Sequence, residues 1–135
     1  MNAPFHGLRV IDLSDRLSGA FAARLFGDFG AEVILAESPE GNALRGEPPF
    51  LEEVPGMERS VVHAYVNWNK RSIVVNREDE LAELVRSADI VITTTEGPRR
   101  PVLEHLRDDA VHVCITAHGL DDSLTGCPGN TLTHS

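Results

Sequence analysis

Apolar and polar positions alternate between two periods along this chain. At 8–13 (LRVIDL), 31–36 (AEVILA), 72–76 (SIVVN), 89–94 (DIVITT) and 111–116 (VHVCIT) the sequence passes through short apolar stretches rich in Val and Ile. Runs of that length, bounded by polar turns, predict buried strands. Strands apolar throughout belong to a sheet covered on both faces. Between them the period changes. Over 18–29 the apolar positions Ala22, Leu25, Phe26 and Phe29 fall at helical spacing. Gly30 follows, where a helix end favours a left-handed residue. Over 78–88 Leu81, Leu84 and Val85 share one helical face, and Glu78, Asp79 and Glu80 occupy the first turn, where the helix dipole favours negative charge. A third, shorter helix is predicted over 99–107, with Pro101 near its first turn.

Strand, helix and strand within the first 37 residues predict a parallel pair with a right-handed crossover. Repeated along the chain, the alternation predicts an α/β fold: a Rossmann-like open, mainly parallel five-stranded sheet with helices on both faces, spanning 1–117. Residues 37–68 are rich in Pro, Gly and Glu and have no clear period. They are expected to form a long irregular insertion, and loops of that length are usually functional or mobile. Within it, 63–68 fits either a short helix or an irregular approach to the third strand. The stretch 118–135 has no period and is expected to be an irregular, mobile tail. In open parallel sheets ligands bind beyond the carboxyl ends of the strands. That directs attention to 14–19, to the loop after Ala36, and to 93–100.

Bulk properties narrow the function without naming it. A chain of 135 residues fits one domain and can bury a core. Its formal net charge of -9 disfavours nucleic acid and anionic membrane as partners. Cys114 lies in an apolar run and Cys127 in a Gly/Pro segment, so neither a disulfide framework nor metal-ligand spacing is present. No signal-peptide pattern opens the sequence, and no stretch approaches the ~20 apolar residues of a membrane span. A cytoplasmic setting is the expectation.

The usual nucleotide motifs are missing. The turn Ser14-Asp15-Arg16-Leu17-Ser18-Gly19 carries one glycine, not the three of a dinucleotide turn. There is no phosphate-binding G-x-x-x-x-G-K and no G-x-S-x-G nucleophile turn. Ser18 is expected to cap the helix that follows, although the same N–H groups can hold an anion. Asp12 is expected to cap its turn, His112 to be structural, and His118 to be a candidate contact at the ligand edge. Asp121 and Asp122 fit a solvated turn. The most distinctive piece is Asn67-Trp68-Asn69-Lys70-Arg71-Ser72. Its adjacent cations fit a phosphate or carboxylate site, or equally a solvated pair neutralising nearby acids.

Several segments in order carry a resemblance: Gly7-Leu8-Arg9-Val10-Ile11-Asp12-Leu13-Ser14, Gly30-Ala31-Glu32-Val33-Ile34 with Glu37, Leu44-Arg45-Gly46, Asn69-Lys70-Arg71-Ser72-Ile73, Ala88-Asp89-Ile90-Val91 and Gly126-Cys127-Pro128-Gly129-Asn130. With them the chain resembles the N-terminal part of the large domain of the family III (CaiB/BaiF-like) coenzyme A transferases. The resemblance implies transfer of CoA between carboxylic acids. An aspartate attacks the acyl-CoA thioester to give a mixed anhydride, and CoA thiolate then forms an enzyme-bound aspartyl thioester. It implies a Rossmann-like large domain, a small domain and an interlocked dimer.

By position, the resemblance sets Arg16, Leu17 and Ser18 beside the thioester end of CoA. It sets Val75, Glu78, Thr94 and Thr95 near the adenine and phosphates, with Arg99 or Arg100 as the phosphate cation. CoA or acyl-CoA is the expected ligand. No metal is expected, and no catalytic residue is assigned within the chain, because the family's nucleophilic aspartate lies downstream of the Pro-Gly segment, beyond residue 135. Relative to the family the sheet domain is incomplete and expected to be inactive alone. A homodimer or a complementing C-terminal chain is the expected partner. The alternative is a non-catalytic CoA-binding or interaction module, or one subunit of a split enzyme. Three departures stand out: Gly19-Ala20 where the family carries Gly-Pro, Thr93-Thr94-Thr95 where it carries Glu-Asn-Phe, and Ser38 where it carries a basic residue.

Overall fold

The computed structural model describes residues 2–94 and 100–120. Five strands form one sheet: β1 (Arg9–Asp12), β2 (Glu32–Glu37), β3 (Lys70–Val74), β4 (Ile90–Thr93) and β5 (Val111–Cys114). Their order is β3-β2-β1-β4-β5, and every neighbouring pair is parallel. The chain builds outward from β1 on one side, then crosses back to build β4 and β5 on the other. The switch point therefore lies between β1 and β4, the position where open α/β sheets bind ligands.

The alternation of side chains across the sheet divides the core in two. Ile11, Leu13, Ile34, Ala36 and Val91 face helix α3 (Glu78–Ser87) and pack against its Ala82 and Val85. Val10, Val33 and Ile92 face helix α1 (Leu17–Asp28) and pack with Ala23 and Phe26. Helices thus cover both faces, as the Val/Ile-rich strands require. The coverage stops at the edges: Val74 on β3 and Val111 on β5 remain exposed.

Helix α1 presents to the sheet only part of the apolar face that its spacing predicts. Its buried residues are Gly19, Ala20 and Ala23, small side chains that let the helix lie close to the sheet. Leu25 and Phe29 point outward, 41% and 52% exposed, in line with exposed Leu17 and Phe21. Of the four apolar positions at helical spacing, Phe26 packs on the sheet beside Ala23, whereas Leu25 and Phe29 lie on the outer side, because small residues hold the closest approach. Nor does Ser18 cap the helix: Arg16 is the N-cap, with no side-chain capping bond, and Ser18 lies in the first turn. Gly30 closes the helix at φ +100°, a conformation that favours glycine, and its N–H donates to the Gly27 carbonyl.

Residues 37–68 are more ordered than an irregular insertion. They hold two short 3₁₀ turns, Ala43–Gly46 and Leu51–Glu53, and helix α2 (Val61–Val66). The Ser60 hydroxyl caps α2 by accepting from the His63 N–H at 3.1 Å. Asn42 caps the first 3₁₀ turn in the same way, through the Leu44 N–H at 3.0 Å. Short, locally capped pieces of this kind carry too few residues to show a period. The helix expected over 99–107 is a 3₁₀ helix, Arg100–His105, packed against α3. Residues 95–99 and 121–135, including Thr95, Arg99, Asp121, Asp122, Cys127 and most of the expected tail, lie outside the described residues.

Candidate functional site

Two structures line the carboxyl edge of the sheet, and a chain of hydrogen bonds joins them. The first is the turn after β1, at the switch point. Asp12 ends β1 fully buried. Its Oδ1 accepts from the Ser14 N–H at 2.9 Å and from the Ser14 hydroxyl at 2.5 Å, the local turn capping expected of an Asp there. Its Oδ2 accepts from Lys70 Nζ at 2.7 Å. The same ammonium donates to the Ala20 carbonyl and to Asn67 Oδ1, each at 2.7 Å, so all three of its protons are used. Burial pulls the Lys70 amine below its ordinary pKa, and the Asp12 charge opposes that pull.

Lys70 is therefore neither the free anion site nor the solvated cation that the sequence left open. The strand β3 begins at Lys70 itself and turns its side chain inward. Arg71, the next residue, points out of the sheet toward Glu32 at 3.3 Å. On the other side of the switch point, the Thr94 hydroxyl donates to Asp15 Oδ1 at 2.7 Å and accepts from the Asp15 N–H at 3.0 Å. A Cβ on Gly19 would lie 2.4 Å from Thr94 Cγ2 and 2.5 Å from Ser14 Cβ. Glycine is what allows α1 to start this close to both turns.

The second structure is a cleft of about 310 Å³ where β2 and β3 end beside α3. Ala36, Val75, Leu81 and Val102 supply apolar wall, and Ser38, Asn76, Arg77 and Glu78 supply polar groups. Glu37, also on the lining, is buried and fully engaged. Arg45 donates to both of its oxygens, Nε to Oε2 and Nη2 to Oε1, each at 2.7 Å. The Ser72 hydroxyl adds a bond at 2.5 Å and the Asn42 N–H another at 2.7 Å. The Arg45 bonds dominate in holding the Glu37 carboxyl down at about 2, against the opposing effect of burial. Glu37 in turn raises the Arg45 pKa.

The sequence-predicted residues divide between the two structures. Arg16, Leu17 and Ser18 are exposed at the start of α1, and Thr94 is buried across the switch point from them. Val75 and Glu78 lie on the cleft. Arg100 opens the 3₁₀ helix whose Val102 closes the cleft wall. His112 Nε2 lies 2.9 Å from the Thr93 hydroxyl, within the sheet. His118 is half-buried beyond β5. The Asp12–Lys70 and Glu37–Arg45 pairs were not foreseen as pairs. Their signal was present as charged residues inside or beside apolar strands, where burial demands a partner, but the partners lie 58 and 8 residues apart. Among the described residues no group of His, Cys, Asp and Glu could hold a metal ion, and no helix is long and apolar enough to cross a membrane.

Comparison with known proteins agrees with this architecture. The CoA-transferase family III description matches residues 5–108. The chain is 32% identical to the succinyl-CoA:(R)-benzylsuccinate CoA-transferase subunit BbsE of Thauera aromatica, across all of this chain and 36% of that protein. It is 38% identical to a succinate–glutarate CoA-transferase of Agrobacterium fabrum, across 66% of this chain and 24% of that one. A crystal structure of a CaiB/BaiF family protein from Brucella suis superposes with a TM-score of 0.83 at 28% identity, covering 98% of this chain and 38% of its counterpart. The chain thus spans about a quarter to just over a third of these relatives' lengths. With a match covering most of its residues, and with a parallel sheet that superposes on a solved member, the chain belongs to CoA-transferase family III.

Proposed function

We propose that this chain forms the CoA-binding part of an enzyme that moves CoA between carboxylic acids. The observation that carries the reading is the cleft at the carboxyl edge of the sheet. Val75 and Glu78, the positions the family resemblance assigns to the nucleotide end of CoA, both line it. Its apolar wall suits an adenine ring, and its rim offers the Arg77 guanidinium and the Asn76 amide as donors. Arg99 and Arg100 precede Val102 in sequence and are the proposed phosphate cations. The turn Arg16-Leu17-Ser18, at the switch point, is the proposed seat of the thioester end. The Thauera relative is by name a subunit of a transferase that uses succinyl-CoA, and the Agrobacterium relative is by name a CoA-transferase, which fits this reading. A cytoplasmic setting suits both that ligand and the free thiol of half-buried Cys114.

The proposed role of these residues is to bind and orient CoA, while the attacking carboxylate comes from outside the 135 residues. Both buried carboxylates at the sheet edge are spoken for: Asp12 by Lys70 and Ser14, and Glu37 by Arg45, Ser72 and Asn42. A carboxylate held this way is a poor nucleophile, since its lone pairs are engaged and its charge is neutralised. Two measurements test the proposal. Calorimetry with CoA should register binding that weakens in the Arg99→Ala, Arg100→Ala double variant; no binding by the unaltered chain sinks the reading. Thioester exchange with succinyl-CoA should show no turnover, and robust turnover by the purified chain refutes the external nucleophile.

The outward row Leu17, Phe21, Leu25 and Phe29 on α1 supports a second reading, in which the chain works as one subunit or as a non-catalytic module. The proposed partner is a second copy or a complementing C-terminal chain. Light scattering of the purified chain distinguishes a self-associating module from one that waits for a different polypeptide.

A further inference from the structure

Asn42 joins the two halves of the site. Its side-chain Nδ2 donates to the Ser14 carbonyl at 2.8 Å, in the turn after β1. Its backbone N–H donates to Glu37 Oε2 at 2.7 Å, at the wall of the cleft. Its Oδ1 accepts from the Leu44 N–H at 3.0 Å, which starts the 3₁₀ turn carrying Arg45. Through Ser14 the connection runs on to Asp12 and Lys70. Through Glu37 it runs on to Arg45 and Ser72. Charged, fully bonded groups therefore stand at both ends of the path, and one neutral residue spans the middle, its side chain on Ser14 and Leu44 and its backbone N–H on Glu37.

The chemistry of the position selects the residue. One neighbour is a carbonyl acceptor and the other an N–H donor, so the side chain must offer one donor and one acceptor a short distance from the backbone. An asparagine amide does this. An aspartate of the same shape keeps the acceptor for Leu44 but turns a second oxygen on the Ser14 carbonyl. An alanine keeps neither bond, and the polar groups it leaves behind must find water.

We propose that Asn42 is a positioning residue for the CoA site: it holds the turn after β1 in register with the cleft, so that both ends of one long ligand are gripped together. The inference rests on the CoA reading above. Asn42 touches neither end of the ligand. Its side chain acts through the Ser14 carbonyl and the Leu44 N–H, which starts the turn whose Arg45 holds Glu37, and its effect is to fix the separation between two weak subsites. A ligand spanning both gains from that fixed geometry, whereas a ligand filling one does not.

The test compares CoA with adenosine 3′,5′-bisphosphate, its nucleotide end alone, by calorimetry on the wild-type chain, Asn42→Asp and Asn42→Ala, with melting curves for all three. The expected result is a loss of about tenfold in CoA affinity in both variants, with affinity for the bisphosphate held within about twofold, since only the spanning ligand depends on the spacing. An unchanged CoA affinity in both variants overturns the inference. So does an equal loss for CoA and the bisphosphate, because that marks collapse of the cleft and no positioning effect. A wild-type chain that binds neither molecule refutes the CoA reading itself. Wild-type binding of both, with variants unaltered, refutes the role of Asn42 alone.

Discussion

Arg45 holds Glu37 with both arms of its guanidinium, each bond at 2.7 Å, and it does so at the point where the sheet ends and residues 37–68 begin. The carboxylate is 3% exposed. A charge so buried is tolerated only when paired and hydrogen-bonded, and Ser72 and Asn42 complete its shell. The guanidinium goes on to the Met57 carbonyl at 2.9 Å, fastening the far side of the insertion to the same anchor. One ion pair thus ties β2, the first 3₁₀ turn and the segment before α2 together beside the cleft.

Removing the cation should therefore be severe. Arg45→Met leaves the Glu37 carboxylate buried without its main partner, a change that costs about 3–5 kcal/mol in comparable buried pairs. Urea unfolding followed by circular dichroism measures it. A loss below about 1 kcal/mol would mean that water reaches Glu37 as easily as in an exposed pair.

The same pair sets an acid limit. The Glu37 carboxyl titrates at about 2 when folded, against 4.5 ordinarily. A carboxyl depressed by folding contributes stability that is whole above the unfolded value and fades as pH falls toward the folded one. Stability should therefore decline from about pH 5 down to about pH 2, and Glu37→Gln should flatten part of that decline. Unfolding midpoints measured across this range decide the matter; identical acid limbs in the two proteins would exclude Glu37 as a source.

Lys70 and Asp12 make the second buried pair, with side chains 1% and 0% exposed. Lys70→Met leaves Asp12 charged in the core and should cost about 3–5 kcal/mol, whereas the double change with Asp12→Asn should recover a large part of that loss. A double-mutant cycle in urea supplies the coupling. Strictly additive losses would show that the two groups do not depend on each other.

These pairs mark where the sequence stopped being readable. Five strands and two helices announced themselves: β1, β2 and β4 are buried and apolar, α3 turns Leu81, Leu84 and Val85 to the sheet, and the edge strands β3 and β5 showed as Val/Ile runs although, against the expectation of buried strands, they are mostly exposed. The resemblance supplied the family, and the match over 5–108 agrees. Which charges meet was hidden: Lys70 on β3 reaches Asp12 on β1 across the one strand between them, a contact set by strand order and not by any local spacing. The adjacency of Val75 and Glu78 to a cleft likewise depends on how α3 leaves the sheet. Helix α2 stayed ambiguous because six residues hold under two turns, too few to establish a period.

Gly19 tests the close approach at the switch point. In Gly19→Ala the new methyl meets Thr94 Cγ2 and Ser14 Cβ at 2.4 and 2.5 Å, so α1 must shift. Overpacking of this kind costs about 1–3 kcal/mol. Adding Thr94→Ser removes the obstructing methyl group and keeps the hydroxyl for Asp15, so the double variant should regain part of the loss. Thermal melts of the three proteins provide the readout, and a Gly19→Ala chain as stable as the parent would show that the helix start gives way freely.

The outer face of α1 yields a prediction that separates the structure from the apolar pattern. The apolar pattern groups Leu25 with Phe26 on one helical face; in the fold Phe26 packs on the sheet, Leu25 and Phe21 are each 41% exposed, and Ala20 and Ala23 are buried. Were the pattern right, Leu25→Lys would bury an unpaired charge and unfold the chain. With the observed orientation, the Phe21→Lys, Leu25→Lys double variant should change stability by no more than about 1 kcal/mol, since substitutions at solvent-facing sites are commonly within about 0.5 kcal/mol each. Ala23→Lys, on the sheet side of the same helix, should abolish cooperative unfolding, because the close-packed interior around Val10, Val33 and Ile92 has no room or partner for an ammonium. Urea titrations of the two variants, run beside the parent, give opposite outcomes under the two orientations of α1.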